Sequence, residues 1–172
     1  NLVNKDYSSF KSLNNKKINL IDVNYHFKKT FEKISTNSNN YITRCFNVAL
    51  EILKKNKFKK MINGPISKKS FLQGRYLGIT EYLASKTGKK DKVAMLIYNP
   101  KLSVSPITTH LPLKDVSKKI SKLKITNNIV LVNNFYLKVL RKIPKIGITG
   151  LNPHCESNYK TSEEKKIIIP AI

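Results

Sequence analysis

The chain has 172 residues, enough for one domain with a sizeable core, and carries a formal charge of +23 from 33 basic and 10 acidic side chains. So positive a balance invites a nucleic-acid reading, but only Arg44, Arg75 and Arg141 offer the guanidinium fork favoured in phosphate and base recognition, and the lysines are scattered over nearly every segment. With abundant Asn and Ile this is the composition of an AT-rich coding sequence rather than of a basic stripe. No apolar run approaches membrane-spanning length, so neither nucleic acid nor membrane is expected as a partner, while the positive field favours anionic substrates.

In chain order, residues 17–23 have the β-rich character of a short strand, and 35–40 form a polar Ser/Asn loop. Residues 41–57 carry Ile42, Cys45, Ala49, Ile52 and Leu53 at helical spacing, with lysines at the end where the helix dipole favours cations. A short strand is predicted over 59–63, broken by Gly64-Pro65, after which Ser67 caps a turn over 68–72. Residues 80–86 read as a short helix closed by Gly88. The apolar run 93–98 predicts a buried strand, and Asn99-Pro100-Lys101 a turn into a second strand over 102–108. Pro112 opens a helix running to about Ser121, a long helix covers 125–143 with Ile129, Val132, Leu137 and Leu140 on its apolar face, and 145–149 form a last strand. Thr161-Ser162-Glu163-Glu164 has the pattern of a capping box, with Thr161 as N-cap and Glu164 at the third helical position. This alternation predicts an α/β fold, a mixed sheet flanked by helices, in a single region spanning 1–172 without internal repeat or domain boundary. The chain begins at Asn1 rather than Met and stops in what reads as a helix, so the region is expected to be incomplete.

Three loops carry the chemical candidates. Asn63-Gly64-Pro65-Ile66-Ser67-Lys68 offers a lysine to an anion, although an ordinary Gly-Pro turn explains it as well. In Gly78-Ile79-Thr80-Glu81, Gly78 permits close backbone approach and Thr80 sits at a helix start, a favourable place for phosphate oxygens; taken alone it is an N-cap. The third candidate is a pair. Of three histidines, His110 in Thr108-Thr109-His110-Leu111-Pro112 and His154 in Gly150-Leu151-Asn152-Pro153-His154 each follow an extended apolar run. In open α/β sheets ligands bind where strands end and helices begin. One such histidine could be a cap or an exposed side chain; two with the same local grammar favour a shared metal. His26, on a polar stretch, reads as structural or exposed. Cys45 and Cys155 have no disulfide-framework spacing and suit a reducing cytoplasm.

Gly64-Pro65-Ile66-Ser67-Lys68, Gly78-Ile79-Thr80-Glu81, the His110 loop and the His154 loop, in this order and at these separations, resemble the 4-hydroxythreonine-4-phosphate dehydrogenase family of pyridoxal phosphate biosynthesis. The resemblance covers the chain from about Tyr41 onward and implies an isocitrate/isopropylmalate dehydrogenase-like fold. It further implies a homodimer with a shared active site, NAD or NADP as cofactor, and a divalent metal cation (zinc, magnesium or cobalt) held by three histidines; the cytoplasmic location is the default expectation from cysteine usage and the absence of a visible signal peptide. The implied substrate is a phosphorylated hydroxy-amino acid, 4-phosphohydroxy-L-threonine, oxidised to a 3-oxo acid that decarboxylates to 3-amino-2-oxopropyl phosphate. By motif, His110 and His154 are two of the metal ligands, and Ile79 and Thr80 contact substrate; no further catalytic residue is assigned. A bound cation would act as a Lewis acid toward the substrate hydroxyl and the enolate left by decarboxylation.

Two departures qualify the match. The family motif has a histidine where this chain has Ile79, which leaves room for a related threonate or erythronate phosphate as substrate. The third metal histidine and the carboxyl-terminal substrate residues of the family fall beyond Ile172, and the amino-terminal Gly-rich segment is not seen. A complete member is about twice as long, and the stretch alone is expected to be inactive. Cys155, beside His154, is expected not to replace a ligand. A basic nucleic-acid-binding domain remains the reading from a different class; salt-dependent retention on DNA, unaffected by divalent metal, would mark it.

Overall fold

A computed structural model describes residues 2–4, 16–55, 58, 60–90, 92–155 and 160–172. The backbone gathers into two compact units, Asn1–Tyr76 and Leu77–Ile172.

In the first unit β1 (Leu2–Asn4) pairs in parallel with β2 (Ile18–Leu20), in the register Leu2↔Ile18, Val3↔Asn19 and Asn4↔Leu20. The Ser/Asn loop prepares the first helix: Ser35 accepts from the Asn37 amide at 3.3 Å and opens a 3-10 turn, Thr36–Ser38, that leads into α1 (Asn39–Lys55). Lys54 and Lys55 lie in its last turn, as the dipole favours. The predicted stripe of Ile42, Cys45, Ala49, Ile52 and Leu53 is half-buried, and the helix buries Phe46 fully. That ring stacks at 5.9 Å on Phe71 of α2 (Lys68–Leu72), whose Phe71 and Leu72 are both buried. Ser67 caps α2 as expected, accepting from the Ser70 amide at 3.4 Å, and Asn39 Nδ2 donates to the Ser70 carbonyl at 2.8 Å, tying the two helices together. Residue 59 of the strand predicted over 59–63 lies outside the described residues, and 60–63 form no strand.

The second unit opens with α3 (Ile79–Lys86), which buries Tyr82 and Ala84 and ends where Gly88 adopts a left-handed φ of +67°. Pro112 is the N-cap of α4 (Leu113–Lys119) rather than its first helical residue. Ser121 caps α5 (Lys122–Phe135), accepting from the Lys124 amide at 3.2 Å, and Ile125 anchors its buried side. The long helix therefore starts earlier than the 125–143 expected, and its end departs from α geometry: Tyr136–Leu140 widen into a π turn that stops at Arg141, φ +56°.

The predicted strands of this unit are where the structure differs most from the mixed-sheet expectation. Residues 93–98 and 102–108 meet through a single antiparallel bridge, Ile97↔Val104, with hydrogen bonds of 2.8 and 3.0 Å, and 145–149 pair with nothing among the described residues. Val93, Met95, Ile97 and Tyr98 are 41–57% exposed. An apolar run specifies a segment that could be covered on both faces, but a strand exists only where a neighbour supplies the ladder, and one bridge does not make a sheet. The turn between the two segments is as expected, with Asn99 Oδ1 accepting from the Lys101 amide at 2.9 Å.

Phe71 is buried against Phe46 in the first unit. Phe71→Ala should lower its unfolding free energy by about 3–5 kcal/mol, measured by denaturant titration; a loss below about 1 kcal/mol would place Phe71 outside the core.

Candidate functional site

The Gly78 loop and the His110 loop come together. Gly78 is buried as the N-cap of α3, and a Cβ built on it would lie 2.8 Å from Glu81 Oε2 and 4.0 Å from His110 Nε2. A side chain at 78 would have to push the Glu81 carboxylate aside, while the His110 ring would stay in ordinary contact. Glu81, in the first turn of α3, folds back over the positive end of the helix. His110 itself is exposed and holds a left-handed backbone, φ +56°, which costs an L residue about 1–2 kcal/mol. Ile79 is half-buried as the first helical residue, and Thr80 is exposed beside it. Thr80 also stands on the rim of an open pocket of about 620 Å³ between α3, residues 92–98 and α5, lined mainly by Leu83, Ala84, Leu96, Leu131 and Phe135.

The His154 loop is held from below by Glu164, which the capping pattern assigns to the helix start instead. Glu164 is 4% exposed, and its Oε1 accepts from the backbone amides of Leu151 at 2.9 Å and Asn152 at 2.8 Å. Asn152 Nδ2 bridges both carboxylate oxygens at 3.2 and 2.9 Å and reaches Glu163 Oε2 at 3.1 Å. The capping box is thus corrected. Ser162, not Thr161, caps the last helical turn, accepting from the Lys165 amide at 3.3 Å, and Glu164 turns away from the cap to bind the loop. Four hydrogen bonds from three donor groups are enough to outweigh burial, and the side-chain amide of Asn152, then its backbone amide, hold the Glu164 carboxyl down at about 2. On the other side of the loop Cys155 donates to the Asn152 carbonyl through its amide at 3.3 Å and its thiol at 3.4 Å. A Cβ on Gly150 would collide with the Cys155 thiol, so Gly150 is fixed by the same packing. His154 is exposed and lines an open pocket of about 450 Å³ with Asn152, Pro153, Cys155, Ser162 and Glu163.

As donors for a divalent cation the two exposed imidazoles suit in kind. Among the described residues no three His, Cys, Asp or Glu side chains converge, so His110 and His154 fit as part of a donor set rather than a whole one. The sequence reading had singled out His110, His154, Ile79 and Thr80; it missed Asn152 and Glu164 as the supports of the second loop. The available signal was two adjacent carboxylates close behind the motif, in a chain with only 10 acidic residues.

The sequence matches the model of the family "Pyridoxal phosphate biosynthetic protein PdxA" over residues 2–172. The chain belongs to the PdxA family. It is 39% identical over 159 residues to the 4-hydroxythreonine-4-phosphate dehydrogenase of Sulfurihydrogenibium sp. (strain YO3AOP1), which covers 90% of this chain and 48% of that one. It is 30% identical over 143 residues to the D-threonate 4-phosphate dehydrogenase of Salmonella typhimurium, covering 81% of this chain and 43% of that one. Among solved structures, the 4-hydroxythreonine-4-phosphate dehydrogenase of Klebsiella pneumoniae superposes with a TM-score of 0.83 at 28% identity, covering 99% of this chain and 54% of that one. The corresponding enzyme from Burkholderia phymatum gives a TM-score of 0.78 over 99% of this chain and 53% of that one. This PdxA chain therefore spans about half the length of the relatives it matches, within a family of dehydrogenases whose structures support an α/β class. Among the described residues no helix is long and apolar enough to cross a membrane.

The depressed carboxyl of Glu164 ties this loop to acid stability. Its folded value of about 2 lies below the ordinary 4.5, so its contribution is complete above pH 4.5 and disappears as the pH falls toward 2. Between those limits the parent should lose stability more steeply than Glu164→Gln, the two converging at the acid end. Parallel denaturant titrations across that range test this; superimposable pH profiles would contradict it.

Proposed function

We propose that the full-length protein is a metal-dependent NAD(P) dehydrogenase that oxidises 4-phosphohydroxy-L-threonine to a 3-oxo acid, which then decarboxylates to 3-amino-2-oxopropyl phosphate. One observation carries this reading: the family match runs through residues 2–172 and takes in the Gly78, His110 and His154 loops together. In the oxidation the hydroxyl proton and a hydride leave the substrate, the hydride passing to the nicotinamide; loss of carbon dioxide and uptake of one proton complete the second step. A divalent cation, when bound, supplies Lewis-acid polarisation of the reacting oxygen in both steps.

The chain's own part is to bind and orient. His110 and His154 would hold the cation through their imidazoles. Thr80, at the start of α3, offers a hydroxyl donor to an anionic substrate, where the dipole favours negative charge once the Glu81 carboxylate swings aside. The lysine-rich surface raises the local concentration of a phosphorylated acid. The isocitrate/isopropylmalate dehydrogenase-like fold, a single catalytic region, the homodimer with a shared site and the cytoplasmic location belong to the same proposal. Ile79 favours a second substrate, a threonate or erythronate phosphate, since an apolar side chain there donates no hydrogen bond, and the Salmonella relative is named for D-threonate 4-phosphate.

In the full-length enzyme His110→Ala and His154→Ala should each abolish metal-dependent turnover with little change in melting temperature, because both side chains are exposed. Normal turnover and metal content in either variant would remove that residue from the ligand set. Ile79→His restores a donor worth about 1.5–3 kcal/mol if the substrate is the amino acid. The Michaelis constant for 4-phosphohydroxythreonine should then fall by roughly one to two orders of magnitude, with kcat little changed. A constant that stays or rises would favour the threonate-type substrate.

A further inference from the structure

We infer that Glu164 is a positioning residue for His154: by gripping Leu151 and Asn152 it sets the direction in which the imidazole is offered to a divalent cation. The inference rests on the reading of His154 as a metal ligand. Three observations carry it. The buried carboxylate accepts both backbone amides that precede Pro153, at 2.9 and 2.8 Å, which fixes the two peptide planes on the amino-terminal side of the turn. The Cys155 amide and thiol close on the Asn152 carbonyl at 3.3 and 3.4 Å, fixing the carboxyl-terminal side, and the proline ring locks φ between them. His154 is thereby held in a turn pinned at both ends, while its own side chain stays exposed.

A role for Glu164 in its own helical turn is already filled, since Ser162 caps it. The carboxylate therefore acts on the loop and, through Asn152, on the histidine. Partners that orient a metal-ligating histidine typically change metal affinity by about 10–100-fold when removed.

Cobalt(II) binding to the full-length enzyme tests this, read by calorimetric titration and by the visible absorption of the bound ion, which reports coordination geometry independently of turnover. Glu164→Gln keeps the size of the side chain and removes the charge; it should weaken cobalt binding by about 10–100-fold and alter the absorption band, with faster amide exchange at Leu151 and Asn152. Asn152→Ala, which keeps the carboxylate and the two backbone bonds, should weaken binding less and in the same direction, and decides the matter if Glu164→Gln does not fold. His154→Ala is the reference. If it loses cobalt while Glu164→Gln and Asn152→Ala keep the parental affinity and spectrum, the positioning role is overturned and the metal reading stands. If His154→Ala itself binds cobalt as the parent does, the metal reading fails and the inference with it.

Discussion

A carboxylate taken out of water must either be protonated or be surrounded by donors, and Glu164 takes the second course. Its four hydrogen bonds all come from two consecutive residues, Leu151 and Asn152, so the need to satisfy one buried charge dictates the course of the whole loop. The remaining features follow. Gly150 has no side chain because the Cys155 thiol occupies that space, and Ser162 caps the helical turn from which the Glu164 side chain reaches away. A histidine carried on such a loop inherits its rigidity without being buried.

The helices were largely legible in the sequence because their signals are local: Ser67 caps α2 and Gly88 closes α3 with the backbone that glycine makes cheap, whereas the caps at Ser35 and Ser121 emerged only from the structure, which starts α5 earlier than its apolar pattern indicates. The strands were not, because the ladder is a relation between segments distant in sequence. Residues 93–98 have the composition of a buried strand, yet pair only at Ile97; nothing in that run states which neighbour would cover it. The π turn at Tyr136–Leu140 was equally invisible, since it shares its side-chain chemistry with an ordinary helix.

The site was legible to a similar depth. The two histidine loops stand out because imidazoles are scarce in this chain and both follow extended apolar runs. The meeting of His110 with the Gly78 loop did not stand out, for it is a contact between segments distant in sequence. Thr161 to Glu164 fits the capping pattern, yet at Glu164 the local rule gives way to a stronger interaction 12 and 13 residues back along the chain. Ile79 is the opposite case, plain in the sequence, with a meaning that depends on the ligand it faces.

The bridge between Ile97 and Val104 has a colloidal consequence. Two short extended segments with apolar side chains in solvent and largely unpaired backbone edges form a template on which another chain could add a strand. What opposes this is long-range and unspecific: every copy carries a formal charge of +23, and copies repel before their edges meet. That protection is only as deep as the ionic atmosphere, about 10 Å at 0.1 M salt and about 3 Å at 1 M. The same lysines that say little about recognition thus govern how crowded this polypeptide can become before its edges find one another.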